Sequence, residues 1–145
     1  MMKKYKRGYT TGVFDLFHVG HLNILKKAKQ QCEYLIVGVS TDELVRQYKN
    51  KDTVIPFDER KLIVESIKYV DEVVAQEDRD KLGAFFKIGF DAVFVGDDWK
   101  STPFFNEIEK KYKEVGVDLV YFPYTKGTSS TKLSGVLDEI LNNRE

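Results

Sequence analysis

The sequence has little cysteine, tryptophan and proline, and it has no excess of charge of either sign. Its 145 residues include one Cys, one Trp and three Pro, and 23 basic side chains balance 23 acidic ones. A single cysteine excludes an internal disulfide and is typical of a reducing compartment. A formal net charge of zero argues against partners that are bound through bulk charge, such as nucleic acid or an anionic membrane surface.

Long apolar runs are also missing. No stretch reaches the roughly 20 residues that a transmembrane helix needs, and the basic N-terminus is not followed by the apolar core of a signal peptide. We therefore expect a cytoplasmic protein without membrane insertion. Repeats and low-complexity linkers are absent as well, and the length suits one domain, which we assign to residues 1–145.

What the sequence does contain is a regular alternation of strand and helix patterns. The predicted strands are Arg7–Thr11, Tyr34–Val39, Glu72–Ala75, Asp91–Gly96 and Asp118–Phe122. The predicted helices are His18–Gln31, a short helix opened by a capping box at Ser40–Glu43, a helix that starts at Pro56 with an apolar stripe of Leu62, Ile63, Ile67 and Val70, and then Asp78–Lys87, Phe104–Val115 and Ser129–Leu141. Loops are predicted at Arg46–Asp52 and Pro123–Thr128. This alternation predicts an α/β fold with a five-stranded parallel sheet, in which ligands bind beyond the carboxyl ends of the strands.

The two histidines, His18 and His21, are the first candidates for chemistry. They lie on one face at the start of a predicted helix, where backbone N–H groups and the helix dipole favour an anion. Gly20 between them permits close approach of the backbone. Plain capping histidines and a metal site are the alternatives, but cysteine partners and the His-Glu-x-x-His pattern are missing. Phosphate binding is the interpretation that we prefer.

Two further segments are rich in hydroxyl or basic side chains. Gly127–Thr131, preceded by Lys126, lies before the last helix, where it forms either a plain helix cap or a second anion site. Lys49 and Lys51 belong to a polar segment that is either solvated or closes over a substrate. Arg60 is either an ion-pair residue or a bidentate phosphate ligand.

Acidic residues follow two of the predicted strands. Asp97, Asp98 and Trp99 end the fourth strand, where the tryptophan either completes the core or forms a wall of a ligand pocket. Asp15 lies in an apolar stretch beside the histidines. It is either a structural cap or a contact to a second substrate.

Taken in order, these motifs resemble the cytidylyltransferases of the nucleotidyltransferase superfamily with the His-x-Gly-His signature, and in particular the bacterial glycerol-3-phosphate cytidylyltransferases. The resemblance covers nearly the whole chain through Gly12–His21, Tyr34–Glu43, Asp58–Arg60, Tyr69–Val73, Gly96–Trp99 and Gly127–Thr131. It implies one Rossmann-like domain with helices on both faces of the sheet, and a homodimer. It also implies CTP and a small phospho-alcohol as substrates, with Mg²⁺ held mainly by the nucleotide phosphates.

The resemblance also implies roles for individual residues. The catalytic residues implied are His18, His21 and Lys49, and the implied contacts to the second substrate are Asp15, Lys51, Arg60 and Trp99. The implied nucleotide contacts are Thr11, Gly12, Phe14, Gly20, Asp97, Tyr124, Lys126, Gly127, Thr128, Ser129, Ser130 and Thr131. The chain departs from the family pattern at Tyr124 and Lys68, where arginine is usual.

The expected reaction is transfer of CMP from CTP to glycerol 3-phosphate, giving CDP-glycerol and pyrophosphate. The alternatives are a choline- or ethanolamine-phosphate cytidylyltransferase, an adenylyltransferase of the same superfamily, and a nucleotide-binding module with weakened catalysis. A choline-type substrate needs an aromatic cage, for which Trp99, Tyr121 and Tyr124 are candidates. The binding module draws its main support from the missing arginine at position 124.

Overall fold

Strands and helices alternate along the chain in the computed structural model, which describes residues 3–97, 100–123 and 130–143, without the side chains of residues 130 and 131. The strands are β1 (Tyr5–Gly12), β2 (Cys32–Ser40), β3 (Glu72–Gln76), β4 (Ala92–Gly96) and β5 (Asp118–Phe122). The helices are α1 (Val19–Gln31), α2 (Asp42–Lys49), α3 (Phe57–Glu65), α4 (Lys81–Ile88), α5 (Pro103–Glu114) and α6 (Ser130–Asn142). Over these described ranges, no helix combines the length and apolarity that a membrane span requires.

The five strands form one parallel sheet in the order β3-β2-β1-β4-β5. The central strand β1 pairs with β2 on one side, where Thr11 lies beside Gly38, and with β4 on the other, where Tyr9 lies beside Val93. The chain runs outward from β1 to β3 and then crosses to β4, so the strand order reverses between β1 and β4. A ligand crevice is expected at the carboxyl ends of these two strands. The predicted five-stranded parallel sheet is confirmed.

Alternating side chains divide the sheet between two apolar layers, as expected for a sheet that is covered on both faces. Leu35 and Val37 face the layer that contains Leu25 of α1. Ile36, between them in β2, faces the layer that contains Tyr112 of α5. The fold therefore has helices on both faces, with α1 and α3 on one side and α4 and α5 on the other.

Two glycines in the sheet allow these layers to pack closely. A Cβ atom at Gly8 would lie 2.5 Å from Cε2 of Phe94, and one at Gly38 would lie 2.5 Å from the hydroxyl of Tyr9. Interiors at this packing density leave no room for such an added atom. Both positions therefore require glycine because of space.

The segment after β2 differs from its prediction. The predicted loop at Arg46–Asp52 is wrong over its first half, because α2 continues to Lys49 and ends at Asn50, whose φ is 52°. The helix cap is Thr41 rather than Ser40, since the Thr41 hydroxyl accepts the N–H of Leu44 at 3.2 Å. Lys49 is thus fixed on a helix end and not on a loop.

The predicted apolar stripe of α3 is also partly wrong. Leu62 and Ile63 are 63% and 42% exposed, whereas Arg60 and Val64 are buried at 1% and 0%. The helix is rotated so that a charged residue points inward. Four hydrogen bonds donated by the Arg60 guanidinium account for this orientation.

Candidate functional site

A cleft of about 390 Å³ opens at the carboxyl ends of β1 and β4, where the strand order reverses. This volume is within the range of small-molecule sites. Its walls are formed by the end of β1, the start of α1, the end of α2 and the starts of α4 and α5. The predicted site residues that line it are Thr11, Gly12, Phe14, Asp15, His18, Gly20, His21, Lys49 and Lys51.

The loop between β1 and α1 has an unusual backbone conformation. Phe14 and Leu16 have φ angles of 55° and 50°, in the left-handed region that residues other than glycine rarely adopt. Phe14 is only 5% exposed, and its ring centroid lies 6.3 Å from that of Phe17 and 5.4 Å from that of His21. Such strain persists only where the surroundings fix it, and it is concentrated at functional sites.

Asp15 supplies part of this fixation. Its buried carboxylate accepts the backbone N–H of Val54 at 2.8 Å and that of Ile55 at 2.9 Å. These bonds connect the β1–α1 loop to the segment between α2 and α3. Asp15 therefore anchors the β1–α1 loop. It also lines the cleft, which is compatible with a contact to a second substrate, and that contact stays a prediction.

Arg60 has a structural position in the described structure, and its contact with the substrate stays a prediction. The side chain of Arg60 does not line the cleft. Its guanidinium donates four hydrogen bonds to neighbouring segments of the chain. The acceptors are the carbonyls of Val13 (2.5 Å), Ser40 (2.8 Å) and Ile55 (2.8 Å) and the carboxylate of Asp42 (2.7 Å). Arg60 thus connects the β1–α1 loop, the junction between β2 and α2, and the segment between α2 and α3. These segments border the cleft, and Arg60 holds them together from a position outside it.

His18 and His21 together cap the N-terminus of α1. Nδ1 of His18 accepts the N–H of Gly20 at 3.0 Å, and Nδ1 of His21 accepts the N–H of His18 at 3.2 Å. The two ring centroids are 4.1 Å apart. Because each Nδ1 is an acceptor, the proton of each neutral ring is assigned to Nε2. The capping alternative and the phosphate-binding alternative are therefore compatible, since the cap uses Nδ1 and a ligand would use Nε2.

Both imidazoles favour the neutral form. Burial lowers the pKa of His18. Burial, followed by the neighbouring His18, lowers the pKa of His21 to about 4 against a smaller opposing effect of Asp15. At neutral pH the pair therefore offers hydrogen-bond donors rather than charge, and a bound anion would stabilise the protonated form.

Lys49 and Lys51 bring positive charge to the same cleft. Lys49 is the last residue of α2, and Lys51 follows the left-handed Asn50. Burial, followed by the charge of Lys51, lowers the pKa of Lys49, while Asp15 opposes the shift. The two lysines and the two histidines thus converge on one crevice, although the sequence separates them by about one strand and two helices.

Two cationic cleft residues, Arg79 and Lys81, were missed by the sequence reasoning. Lys81 is the first residue of α4, and its Nζ donates to Oγ1 of Thr11 at 3.2 Å. Arg79 lies just before it, and both line the cleft. The available signal was two basic residues within five positions of the end of a strand, but the neighbouring acidic residues Glu77, Asp78 and Asp80 made the segment look like solvated surface.

Several predicted residues lie outside the described ranges. They are Asp98, Trp99, Tyr124, Lys126, Gly127, Thr128 and Ser129, together with the side chains of Ser130 and Thr131. Asp97 is described and exposed, and it follows the cleft-lining Gly96 without lining the cleft itself. The described part of α6 reaches the cleft at Ser134.

In open parallel α/β sheets, a helix N-terminus at the point where the strand order reverses is a typical site for binding nucleotide phosphates. The described sheet and the start of α1 have this arrangement, so the fold and site are those of a nucleotide-binding α/β protein. Residues 9–136 match the family described as Cytidylyltransferase-like, and the chain belongs to this family. The family resemblance that the sequence motifs indicated is therefore confirmed.

Relatives within and around this family are similar over most of the chain. Glycerol-3-phosphate cytidylyltransferase of Bacillus spizizenii is 40% identical over 88% of this chain and 94% of its own length. FAD synthase of Thermococcus kodakarensis is 30% identical over 96% of this chain and 94% of its own length. The crystal structure of the lipopolysaccharide core biosynthesis protein from Thermoplasma volcanium has 25% identity and a TM-score of 0.71, over 86% of this chain and 99% of that one. This likeness agrees with the Rossmann-like α/β fold.

Proposed function

We propose that this chain is a nucleotidyltransferase that moves CMP from CTP to a small phospho-alcohol, glycerol 3-phosphate in particular, and releases pyrophosphate. The observation that carries the proposal is the His18–His21 cap, which aligns two imidazoles in the cleft where the strand order reverses. Similarity to glycerol-3-phosphate cytidylyltransferases over 88% of the chain supports this choice of substrates.

The reaction is an in-line displacement at the α-phosphorus of CTP. A phosphate oxygen of the phospho-alcohol forms a bond to this phosphorus while the bond to the bridging oxygen of pyrophosphate breaks. The electron pair leaves with pyrophosphate. A phosphate monoester is largely a dianion above its second pKa of about 6, so the attacking oxygen needs no general base. The protein therefore contributes positioning and charge stabilisation.

The cleft residues have distinct roles in this proposal. His18 and His21 donate from Nε2 to the phosphate oxygens on which negative charge develops. Lys49 lies at the end of α2 and bridges the phosphates of the two substrates. Gly20, which is buried at the start of α1, allows the phosphates to approach the backbone N–H groups.

Mg²⁺ enters the proposal as a cation that arrives with the nucleotide. The described residues contain no group of three or more His, Cys, Asp or Glu that could hold a metal. Mg²⁺ commonly keeps several water ligands and binds through substrate phosphates, which fits a cleft whose Asp15 carboxylate already accepts two backbone N–H groups. When bound, the cation would neutralise part of the triphosphate charge.

A matrix of substrates tests the proposal. Pyrophosphate release is followed with CTP, ATP, UTP or GTP against glycerol-, choline-, ethanolamine- and sugar-phosphates in the presence of Mg²⁺. We expect CTP with glycerol 3-phosphate to give the highest kcat/KM. Release above background by no pair would favour the nucleotide-binding module instead.

Histidine variants test the mechanism within the same assay. His21→Ala and His18→Asn should each lower kcat by about 10²- to 10³-fold, the usual loss when one donor to a developing charge is removed. Asparagine at position 18 keeps a good helix cap but lacks the Nε2 donor. Near-normal turnover by the doubly substituted protein would contradict the assigned roles.

An adenylyltransferase is the second candidate, because the FAD synthase relative is 30% identical over 96% of this chain. The ATP arm of the substrate matrix separates it from the first. An ammonium-bearing alcohol is less favoured. The aromatic rings of Tyr48 and Phe104, which line the cleft, already contact a cation, because the guanidinium carbon of Arg79 lies 5.0 and 4.8 Å from their centroids.

The proposal includes a homodimer. Leu62 and Ile63 on α3 and Val19 at the start of α1 are exposed apolar side chains that a second copy could cover. Sedimentation velocity over a range of protein concentrations tests this, and a single monomeric species throughout would contradict it. The cytoplasmic location stays a prediction.

A further inference from the structure

Gln76 ends the edge strand β3 and lines the cleft beside Ser40, its partner in the parallel pairing with β2. Ser40 is only 2% exposed, and its hydroxyl donates to Oε1 of Gln76 at 3.0 Å. Among the described residues, no other group accepts this hydroxyl. The bond therefore assigns Oε1 of the amide to Ser40 and leaves the two N–H donors of Nε2 for the cleft.

The cleft is apolar in the half that lies beside β4 and β5. Its lining there includes Val95, Gly96, Phe105 and Pro123. Such a lining suits the flat base of a nucleotide, because ligand pockets combine apolar walls with a few polar groups. Pro123 also directly precedes the segment 124–131, which contains most of the predicted nucleotide contacts. The nucleotide therefore fits this half of the cleft.

The half of the cleft beside β2 and β3 contains uncharged polar side chains, namely Ser40, Thr53 and Gln76. The Thr53 hydroxyl donates to the carboxylate of Asp42 at 2.9 Å, and the Ser40 hydroxyl donates to Gln76. Of these three side chains, Gln76 is the one that keeps donors for a ligand. A hydroxyl oxygen accepts an amide N–H, whereas an ammonium group has no lone pair with which to accept it.

In-line displacement places the attacking and leaving oxygens on opposite sides of the α-phosphorus. The histidine cap follows β1, between the two halves of the cleft. With the nucleotide toward β4 and β5, the phospho-alcohol lies toward β2 and β3. We propose that Gln76 is a specificity-determining residue whose Nε2 donates to a hydroxyl group of this alcohol and so selects it over an ammonium-bearing one. This inference rests on the proposed function, since it names a residue that recognises the second substrate of that reaction.

A substrate analogue and one substitution test the assignment together. Propyl phosphate has the phosphate group and carbon chain of glycerol 3-phosphate but neither free hydroxyl. The unmodified protein should favour glycerol 3-phosphate by about fivefold or more in kcat/KM, the effect of one hydrogen bond. Gln76→Met keeps the length of the side chain without an N–H donor, and it should lower this preference by about five- to tenfold through the value for glycerol 3-phosphate alone. Gln47→Met is the matched control, because Gln47 is exposed on α2 and does not line the cleft.

The same kinetics contain the results that would overturn the inference. Equal kcat/KM values for the two phosphates in the unmodified protein would show that no hydroxyl of the alcohol is recognised, whatever the variant does. An unchanged preference in folded Gln76→Met would show that another group recognises it. A raised KM for CTP together with that unchanged preference would assign the amide to the ribose of the nucleotide instead.

A binding measurement separates failure of this inference from failure of the proposed function. Calorimetric titration of the full chain with each of the two phosphates, at fixed ionic strength and without CTP, measures the contact independently of turnover. In Gln76→Met we expect the Kd for glycerol 3-phosphate to rise about five- to tenfold and the Kd for propyl phosphate to stay within about twofold. Absence of pyrophosphate release by the unmodified protein would refute the reaction alone. Equal Kd values of the unmodified protein for the two phosphates would refute the role of Gln76 alone.

Discussion

Protonation of His21 should destabilise the protein in a narrow pH range. The pKa of His21 is lowered from 6.5 to about 4 in the folded state, chiefly by burial and then by His18. Between these two values the unfolded chain binds more protons than the folded chain, so stability is full above pH 6.5 and is lost as the pH falls toward 4. Each unit of pKa shift corresponds to about 1.36 kcal/mol, which gives a loss of about 2 kcal/mol at pH 5 relative to pH 7.

His21→Gln isolates this contribution. Glutamine at the third position of a helix can still reach the backbone N–H of the cap residue, but it does not titrate. Urea unfolding of both proteins at several pH values between 7 and 5 gives the free energy of unfolding of each. The difference between the two proteins should change by about 2 kcal/mol over this range, because carboxylates and His18 titrate in both. A difference that stays constant within about 0.5 kcal/mol would refute the neutral, half-buried His21 on which the assignment of its donor atom depends.

The remaining predictions concern packing and charge. Arg60→Met leaves buried backbone carbonyls without a donor and should lower the free energy of unfolding by about 3–5 kcal/mol, and a loss below about 1 kcal/mol in urea would contradict the cross-link. Gly8→Ala should cost about 1–3 kcal/mol through its clash with Phe94, whereas Gly135→Ala, with no atom within 4 Å, should stabilise α6 by about 0.5–1 kcal/mol; thermal melts compare them.

The order of the elements was predictable because strands and helices carry different periodicities. The continuous apolar run Leu35–Val39 indicated a strand covered on both faces, and the structure places its residues in both apolar layers. The orientation of α3 was not predictable in the same way. Its apolar residues Leu62 and Ile63 predicted one buried face, but four hydrogen bonds made by Arg60 turn another face inward. Most of those acceptors come from segments that are distant in sequence, so the apolar periodicity of α3 does not indicate them.

The cleft residues also fall into two groups, those that the sequence indicated and those that it did not. His18, His21 and Asp15 stood out because their side-chain types are unusual beside a short apolar strand, and all three line the cleft. Arg79 and Lys81 did not, because each is flanked by an acidic residue, which is the pattern of solvated surface. Only the strand order shows that the end of β3 and the end of β1 open onto the same crevice.

The histidine cap explains why capping and phosphate binding could not be separated on the sequence. Each imidazole has two nitrogens, and the backbone of the helix start occupies Nδ1 in both rings. That bond fixes which nitrogen carries the proton and orients the donor before any ligand binds, so little reorganisation is needed when charge develops on a phosphate. Protonation of Nδ1 would remove the acceptor on which the cap depends. The cap therefore disfavours the charged imidazole, and burial disfavours it as well. A residue that caps but lacks a second nitrogen should therefore leave the fold intact and remove the chemistry, as the His18→Asn variant is designed to show.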